Sequence, residues 1–173
     1  MKPTEKNQPI SAKPPLTLST PVDKDMVILV ADDDGMAIKL LCKILRDIGF
    51  RAISTAVDGE DAIQTFKLLH PHIVFLDIDM PRLDGLEVLH KIRETDPNAL
   101  AADFRHSFIV MISAHSTVTN IKQAVASGAN GFIVKPYTHQ KIIEVIDKFQ
   151  KTHGHKSPQL KLGNKPQTPL AKK

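Results

Sequence analysis

Five apolar runs alternate along this chain with five segments of helical periodicity, and this alternation constrains the fold more than any other feature. All but the second run are rich in Val and Ile, which is typical of strands buried on both faces of a sheet. The runs are MVILVA (26–31), RAISTA (51–56), HIVFL (72–76), FIVMIS (108–113) and FIVK (132–135). Successive β/α units need right-handed crossovers, which put helices on both faces of a parallel sheet. We therefore expect one α/β domain with a doubly wound, five-stranded parallel sheet.

The helical segments carry their own start and stop signals. A side chain that can accept a hydrogen bond from a free helix N–H precedes three of them. These predicted caps are Asp34, Asp58, and Ser116 or Thr117, and the fifth helix is expected to start at Thr138. Gly49 and Gly128 are expected to end the first and fourth helices.

The two ends of the chain differ in composition from its middle. Eight of the twelve prolines lie in residues 1–25 and 152–173, whereas every Phe and the single Tyr lie between them. Such ends bury too little apolar surface to offset the entropy lost on ordering. We expect residues 1–24 to be a flexible tail, 25–151 to be the domain, and 152–173 to be a second, basic tail.

The basic pI of about 9.2 comes from the tails. Residues 152–173 carry five lysines and no acid, and residues 1–25 carry a net +1. Subtracting +5 and +1 from the total of +4 leaves −2 for residues 26–151. The domain itself is therefore mildly acidic, and only the tails are basic. The C-terminal lysines are best explained as a solubilising extension, and the alternative is contact with an acidic partner or with nucleic acid.

Targeting and redox signals are sparse. No apolar run approaches the length of a membrane span, and the N-terminal MKPTEKNQPISAKPPL lacks the apolar stretch of a secretion signal. We expect a cytoplasmic protein without a membrane span. The single cysteine, Cys42, cannot form an internal disulfide and is expected to be a buried, inert thiol on a helix.

Polar side chains gather where the predicted strands end. In doubly wound sheets, ligands bind beyond the carboxyl ends of the strands, so these residues are expected to share one site. They are Asp32, Asp33 and Asp34 after the first strand, Asp77 after the third, Ser113 after the fourth and Lys135 after the fifth. Asp34 directly precedes a helix and is better explained as its cap.

The chemistry of these side chains is complementary. Clustered carboxylates repel one another unless a cation joins them or they stay partly protonated. A set of oxygen ligands suits Mg²⁺, and a lysine with a hydroxyl suits the oxygens of a phosphoryl group. By itself FLDIDMP (75–81) leaves Asp77 open as an enzyme nucleophile, a metal ligand, a phosphate acceptor or the polar end of a strand.

Four motifs taken together resemble the receiver domain of two-component response regulators. They are ILVADDD, FLDIDMPRLDG, VMISA and GFIVKP, and the resemblance spans roughly residues 26–150. It implies a (βα)₅ flavodoxin-like fold with strand order 2-1-3-4-5. It also implies a signalling protein that catalyses only its own phosphorylation and dephosphorylation.

The resemblance assigns roles to individual residues. It makes Asp77 the phosphoacceptor. It implies that Asp33 binds Mg²⁺ directly and that Asp32 binds it mostly through water. Asp77 and the backbone carbonyl of Asp79 are implied to complete the metal ligands. The remaining implied roles are the switch hydroxyl of Ser113, the phosphoryl-binding cation of Lys135, the switch aromatic ring of Phe132 and a cis peptide at Pro136.

Two flanking residues and one loop lie beyond these motifs. Asp79 and His115 stand where the family tunes the lifetime of the phosphoryl group, and the alternative is a solvated pair. The loop 95–107 is longer than usual, and its Phe104 covers a helix end or marks a partner contact.

The implied partners follow from the same resemblance. They are a sensor histidine kinase or phosphotransfer protein upstream and a protein target downstream. No helix-turn-helix or RNA-recognition motif follows residue 150, so we expect no DNA-binding domain and a stand-alone, chemotaxis-type receiver. We expect a monomer, or a weak dimer that depends on phosphorylation. The output surface is expected to be the fourth helix, fifth strand and fifth helix.

Two rival functions remain. D-x-D after an apolar strand also opens haloacid-dehalogenase-type phosphatases, with Asp77 as nucleophile and Asp79 as acid/base. Pro81 and the upstream position of Asp32 and Asp33 argue against that class. The other rival is a binding module that keeps the receiver fold without being phosphorylated.

Overall fold

Five strands alternate with five helices in the computed structural model, which describes residues 18, 21–95, 107–115 and 117–153. The strands are β1 (Ile28–Ala31), β2 (Ile53–Ala56), β3 (Ile73–Asp77), β4 (Phe108–Ser113) and β5 (Gly131–Val134). The helices are α1 (Gly35–Ile48), α2 (Gly59–Leu69), α3 (Gly85–Thr95), α4 (Val118–Ala126) and α5 (His139–His153).

The strands form one parallel sheet in the order β2-β1-β3-β4-β5, which confirms the predicted fold class and strand order. The chain winds outward from β1 in both directions, since β2 flanks it on one side and β3 on the other. A crevice therefore opens at the carboxyl ends of β1 and β3. The residues that follow these two strands face each other there.

Two apolar clusters, one on each face of the sheet, form the core. Successive side chains of a strand point to opposite faces, so Ile28 and Val30 belong to one cluster and Leu29 and Ala31 to the other. The first cluster includes side chains of α1 and α5, and the second includes side chains of α2, α3 and α4. All four residues of β1 and all five of β3 are buried, as continuous apolar runs predict.

The predicted helix caps are largely confirmed. The Asp34 carboxylate accepts a hydrogen bond from the Met36 N–H at 2.8 Å, and Asp58 accepts one from Asp61 N–H at 2.9 Å. Thr117 caps α4, and its alternative, Ser116, lies outside the described residues. Gly49 ends α1 at φ +120°, a conformation that glycine adopts without a Cβ clash.

The edges of the domain differ slightly from the expected ones. β1 and β2 each begin two residues later than predicted, and α5 continues to His153, whose ring stacks on Phe149 with 4.7 Å between centroids. Within the segment expected to be a flexible tail, Leu18 and Val22 pack against the core between the sheet and α1. The predicted tails otherwise lie mostly outside the described residues and stay predictions.

Cys42 is buried on α1, and burial raises the pKa of its thiol, as expected for an inert cysteine. Among the described residues, no helix has both the length and the apolar character needed to cross a membrane. Phe104, with residues 96–106, lies outside the described part of the chain.

Candidate acidic phosphoryl site

The crevice between β1 and β3 brings together side chains that are 45 and more residues apart in sequence. Asp32 follows β1 and Asp77 ends β3, and each exposes 2% or less of its surface. Asp33 is exposed beside them. Two buried carboxylates in one crevice are unfavourable unless a positive charge offsets them.

Lys135 supplies that positive charge from the end of β5. Its Nζ lies 2.8 Å from Asp32 Oδ2 and 2.7 Å from Asp77 Oδ1. Burial alone would lower the pKa of the Lys135 ammonium, but hydrogen bonding and attraction from both carboxylates outweigh it and raise the pKa to about 12. The Lys135 side chain is therefore a cation at neutral pH and lies between the Asp32 and Asp77 carboxyl groups. The Lys135–Pro136 peptide bond is cis, as predicted.

Asp77 has the most perturbed carboxylate of the site. Burial raises its pKa above the usual range, the Lys135 ammonium lowers it, and the negative charges of Asp32 and Asp79 raise it again. Its Oδ2 accepts a hydrogen bond from Asp79 N–H at 3.0 Å. Its Oδ1 is buried and lies 2.7 Å from Lys135 Nζ, so the ammonium is the charged partner of this oxygen.

The donor set fits a small divalent cation. One carboxylate oxygen each from Asp32, Asp33 and Asp77 lies within 4.8 Å of the others. Three oxygens on one side of a crevice that is open at Asp33 match the preference of Mg²⁺, which binds few protein ligands and keeps several waters.

Two predicted switch residues lie around this centre. The Ser113 hydroxyl is fully buried, accepts a hydrogen bond from His115 N–H at 3.0 Å and donates to His115 O at 3.2 Å. Its hydroxyl is thus held by its own loop. Phe132 is half-buried and packs against the cluster on the α2, α3 and α4 side of the sheet. Their part in a switch stays a prediction.

Asp79 and His115 meet across the mouth of the site. Asp79 Oδ2 lies 3.8 Å from His115 Nδ1, and the side chains are 58% and 75% exposed. Such exposure lets water screen the pair, so it contributes little to stability. Their predicted effect on phosphoryl lifetime remains a prediction.

Gly85, the first residue of α3, lies against the backbone of Asp77. A Cβ at Gly85 would approach Asp77 O to 2.0 Å, whereas one at Gly35, the first residue of α1, would meet nothing within 4 Å. Helix propensity alone favours Ala over Gly by about 1 kcal/mol. We expect Gly85→Ala instead to lower the free energy of unfolding by about 3 kcal/mol, because the backbone around Asp77 must move.

Denaturant unfolding of Gly85→Ala beside Gly35→Ala measures this difference. The matched control should be neutral or slightly stabilising, since it gains helix propensity without a clash. Equal stabilities of the two variants would contradict the close approach at Gly85.

Sequence reasoning missed two residues that support the site. Tyr137 donates a hydrogen bond from its hydroxyl to Ala37 O at 3.3 Å, and burial, with the negative charge of Asp32 next, raises its pKa to about 12. Arg82 forms an ion pair with Asp58, which the sequence marked only as a helix cap. Neither pairing has a local sequence signal, because the partners are 100 and 24 residues apart.

Residues 28–147 match the response regulator receiver domain family. The chain belongs to that family. Among curated receiver proteins, it is 31% identical over 124 residues to the chemotaxis protein CheY of Thermotoga maritima, covering 72% of this chain and 97% of that protein. It is 34% identical over 127 residues to the CheY of Listeria monocytogenes, covering 73% of this chain and 100% of that protein.

Solved structures of receivers agree with this assignment. The complex of CheX and CheY with BeF₃ and Mg²⁺ from Borrelia burgdorferi matches with a TM-score of 0.63 and 35% identity, over 70% of this chain and 86% of that one. The BeF₃-activated DrrB receiver domain, at 23% identity and a TM-score of 0.61, supports the fold alone.

Membership of the family decides between the broad functional classes. Receivers are phosphoacceptor regulators of two-component signalling rather than classical enzymes, so the haloacid-dehalogenase alternative falls away. Receivers bind Mg²⁺ at an acidic pocket, and the cluster of Asp32, Asp33 and Asp77 matches such a pocket.

Proposed function

We propose that this protein is a signalling switch that accepts a phosphoryl group on Asp77 with the help of Mg²⁺. The observation that carries the proposal is the position of Lys135, whose ammonium lies within 2.8 Å of both buried carboxylates. Burial raises the pKa of the Asp77 carboxyl, and a cation so placed lowers it, which favours the ionised and nucleophilic form. The same cation can pair with the oxygens of an incoming phosphoryl group.

The proposed reaction needs no separate general base, because the acceptor is already an anion. A carboxylate oxygen of Asp77 forms a bond to phosphorus while the phosphorus–nitrogen bond of a phosphohistidine breaks. The electron pair of that bond stays on the imidazole nitrogen of the donor. The product is an acyl phosphate, and catalysis consists mainly of positioning and charge neutralisation.

Several residues of the chain have a part in this step. Asp32, Asp33 and Asp77 would hold Mg²⁺, with the backbone carbonyl of Asp79 as a further ligand, and the ion supplies positive charge against the phosphoryl oxygens. Lys135 would move its ion pair from Asp32 and Asp77 toward the bound phosphoryl group. The Ser113 hydroxyl, now bonded to its own loop, would reorient toward the same oxygens.

The proposed partners are a histidine kinase or phosphotransfer protein as donor and a protein target as reader. The Borrelia relative, a CheY in complex with CheX, supports a protein partner for this chain. Exposed apolar side chains along α4 and at the end of β5 support the α4–β5–α5 face as the output surface. They are Val118, Val125 and Val134, between 41% and 67% exposed.

Incubation of the purified protein with acetyl phosphate and Mg²⁺ tests the proposal. We expect an intact-mass increase of about 80 Da, the mass of one phosphoryl group. The added mass should be lost in hydroxylamine, which cleaves acyl phosphates, and it should not form when EDTA replaces Mg²⁺. A protein that folds and binds Mg²⁺ but takes up no phosphoryl group would instead be a receiver-like binding module.

A further inference from the structure

The β3–α3 loop, which runs from Ile78 to Asp84, is tied to the start of α2 by an ion pair that no predicted role uses. The Arg82 guanidinium donates from Nη2 to Asp58 Oδ2, and its Nη1 lies 3.8 Å from Glu60 Oε2. The Asp58 side chain is 3% exposed, while that of Arg82 is 58% exposed. We call this Arg82–Asp58 contact the latch.

The second carboxylate oxygen of Asp58 depends on the latch for its hydrogen-bond donor. Its Oδ1 accepts the capping hydrogen bond from Asp61 N–H at 2.9 Å, and its Oδ2 faces Arg82. A buried carboxylate oxygen without a donor is strongly disfavoured. The buried Asp58 side chain therefore needs this contact, although the Arg82 side chain is exposed to water.

The backbone at Arg82 is held in an uncommon conformation. Arg82 has φ +69°, and Leu83 N–H donates to Pro81 O at 2.9 Å, which makes a three-residue γ-turn of the rare positive-φ type. Such a turn is strained for a residue with a Cβ and persists where the surroundings hold it. Here the side chain of the strained residue makes the contact that holds the turn against α2.

A second contact joins the same two segments. A Cβ at Gly59, the first residue of α2, would approach Leu83 O to 2.2 Å, so the helix start and the loop are in backbone contact beside the latch. The loop also closes on itself, since Met80 N–H and Gly85 N–H both donate to Ile78 O, at 3.0 and 2.9 Å. The loop is therefore compact, and its contacts with α2 help to fix its position.

The latch joins the two halves of the acidic site. On one side, Asp58 follows β2, and Asp32 N–H donates to Ala56 O of β2 at 3.2 Å, so the α2 start is bonded to the β1 end. On the other side, Arg82 lies in the loop that contains Asp79. The Asp79 backbone is thus connected to the carboxylates after β1 in two ways, through the pairing of β1 with β3 and through the latch.

We propose that Arg82 is a positioning residue for Mg²⁺ binding, acting through its ion pair with Asp58 to hold the Asp79 segment opposite Asp32 and Asp33. The proposal rests on the function proposed above and adds to it the residues that set the geometry of the site. Arg82 touches neither the ion nor the phosphoryl group. Its contribution is to the affinity for Mg²⁺ rather than to the transfer step itself.

The test compares variants that break the latch in different ways. Arg82→Gln removes the cation, and Asp58→Asn removes the anion while keeping an oxygen for the Asp61 cap. Arg82→Gly removes the cation and also relieves the strained backbone. Arg51→Gln, which removes an exposed charge before the other end of β2, is the matched control.

Isothermal titration of each folded variant with MgCl₂, without a phosphodonor, measures the affinity directly. We expect Arg82→Gln, Arg82→Gly and Asp58→Asn each to weaken Mg²⁺ binding about tenfold, the scale found for residues that orient metal ligands. The Arg82→Gln/Asp58→Asn double variant should lose no more Mg²⁺ affinity than either single variant, because the double variant and both single variants break the same ion pair. Arg82→Lys should recover part of the affinity, and Arg51→Gln should match the wild type.

Phosphorylation by acetyl phosphate supplies the second measurement. The Mg²⁺ concentration for half-maximal rate should rise about tenfold in the latch variants, while the rate at saturating Mg²⁺ stays within about twofold of the wild type. Wild-type Mg²⁺ affinity in Arg82→Gln and Asp58→Asn, with only a lower melting temperature, would overturn the proposal and leave the proposed function intact. A wild type that neither binds Mg²⁺ nor accepts a phosphoryl group would overturn both.

Discussion

Asp77→Asn is expected to abolish phosphoryl acceptance and, at neutral pH, to make the domain more stable. The amide keeps the shape of the side chain and can still accept the hydrogen bond from Asp79 N–H, but it is no anionic nucleophile. No mass increase of about 80 Da should appear with acetyl phosphate and Mg²⁺.

The gain in stability follows from the sign of the pKa shift. Burial raises the pKa of Asp77 in the folded state above its usual value, so folding becomes less favourable as pH rises through that range and Asp77 ionises. The asparagine carries no charge at any pH and escapes this cost. We expect a gain of roughly 1 kcal/mol at pH 7, the usual scale of one substitution, which should vanish below about pH 4, where the free carboxyl is protonated.

Thermal or denaturant unfolding from pH 3 to pH 8 measures this gain. Asp47→Asn is the matched control, because Asp47 is a half-exposed carboxylate paired with Lys43 on the surface of α1. It should change neither phosphoryl acceptance nor, appreciably, the stability. Phosphorylation that persists in Asp77→Asn would show that another residue is the acceptor. A loss of stability at pH 7 would contradict the raised pKa of Asp77.

Lys135→Met is expected to be strongly destabilising. It leaves the buried Asp32 and Asp77 carboxylates facing each other without a cation, and breaking one partner of a buried ion pair costs about 3–5 kcal/mol. Phosphoryl acceptance by the molecules that remain folded should fall about a hundredfold, the usual effect of losing one charge-stabilising group.

The pH dependence separates this explanation from a simple loss of packing. In the wild type, the pKa of Lys135 is raised to about 12, so its stabilising ion pairs are complete at neutral pH and are lost only between about pH 10.4 and that value. In Lys135→Met, the loss should shrink at low pH, where the Asp77 carboxyl, whose pKa burial raises, becomes protonated. A loss that is independent of pH would contradict an electrostatic cause.

Two companion variants complete the comparison. Lys135→Arg keeps the positive charge and should retain most of the stability. The double variant Lys135→Met/Asp77→Asn should recover part of what Lys135→Met loses, since it leaves one buried carboxyl side chain in the crevice instead of two. The three unfolding curves, measured at one pH, show how much of the effect belongs to the pair of charges.

The sheet could be predicted from the sequence because its signals are local. Runs rich in Val and Ile predict buried strands from their own composition. The caps Asp34 and Asp58 bond N–H groups a few residues away, and Gly49 acts through its own backbone conformation. The convergence of Asp32, Asp77 and Lys135 could be predicted for a related reason. A parallel sheet brings the ends of all its strands to one edge, whatever residues stand there.

The contacts that complete the site were decided by tertiary structure alone. These contacts join segments that only the packing of the folded chain brings together. They are the pairing of Arg82 with Asp58, the approach of Gly85 to Asp77 O and the packing of Leu18 and Val22 against the core. Nothing in the residues near Arg82 specifies a carboxylate 24 positions earlier. By itself the sequence determined which side chains reach the carboxyl edge of the sheet, because that depends on strand order. Their distances, burial and pKa values depend on how the loops pack, and only the folded chain fixes them.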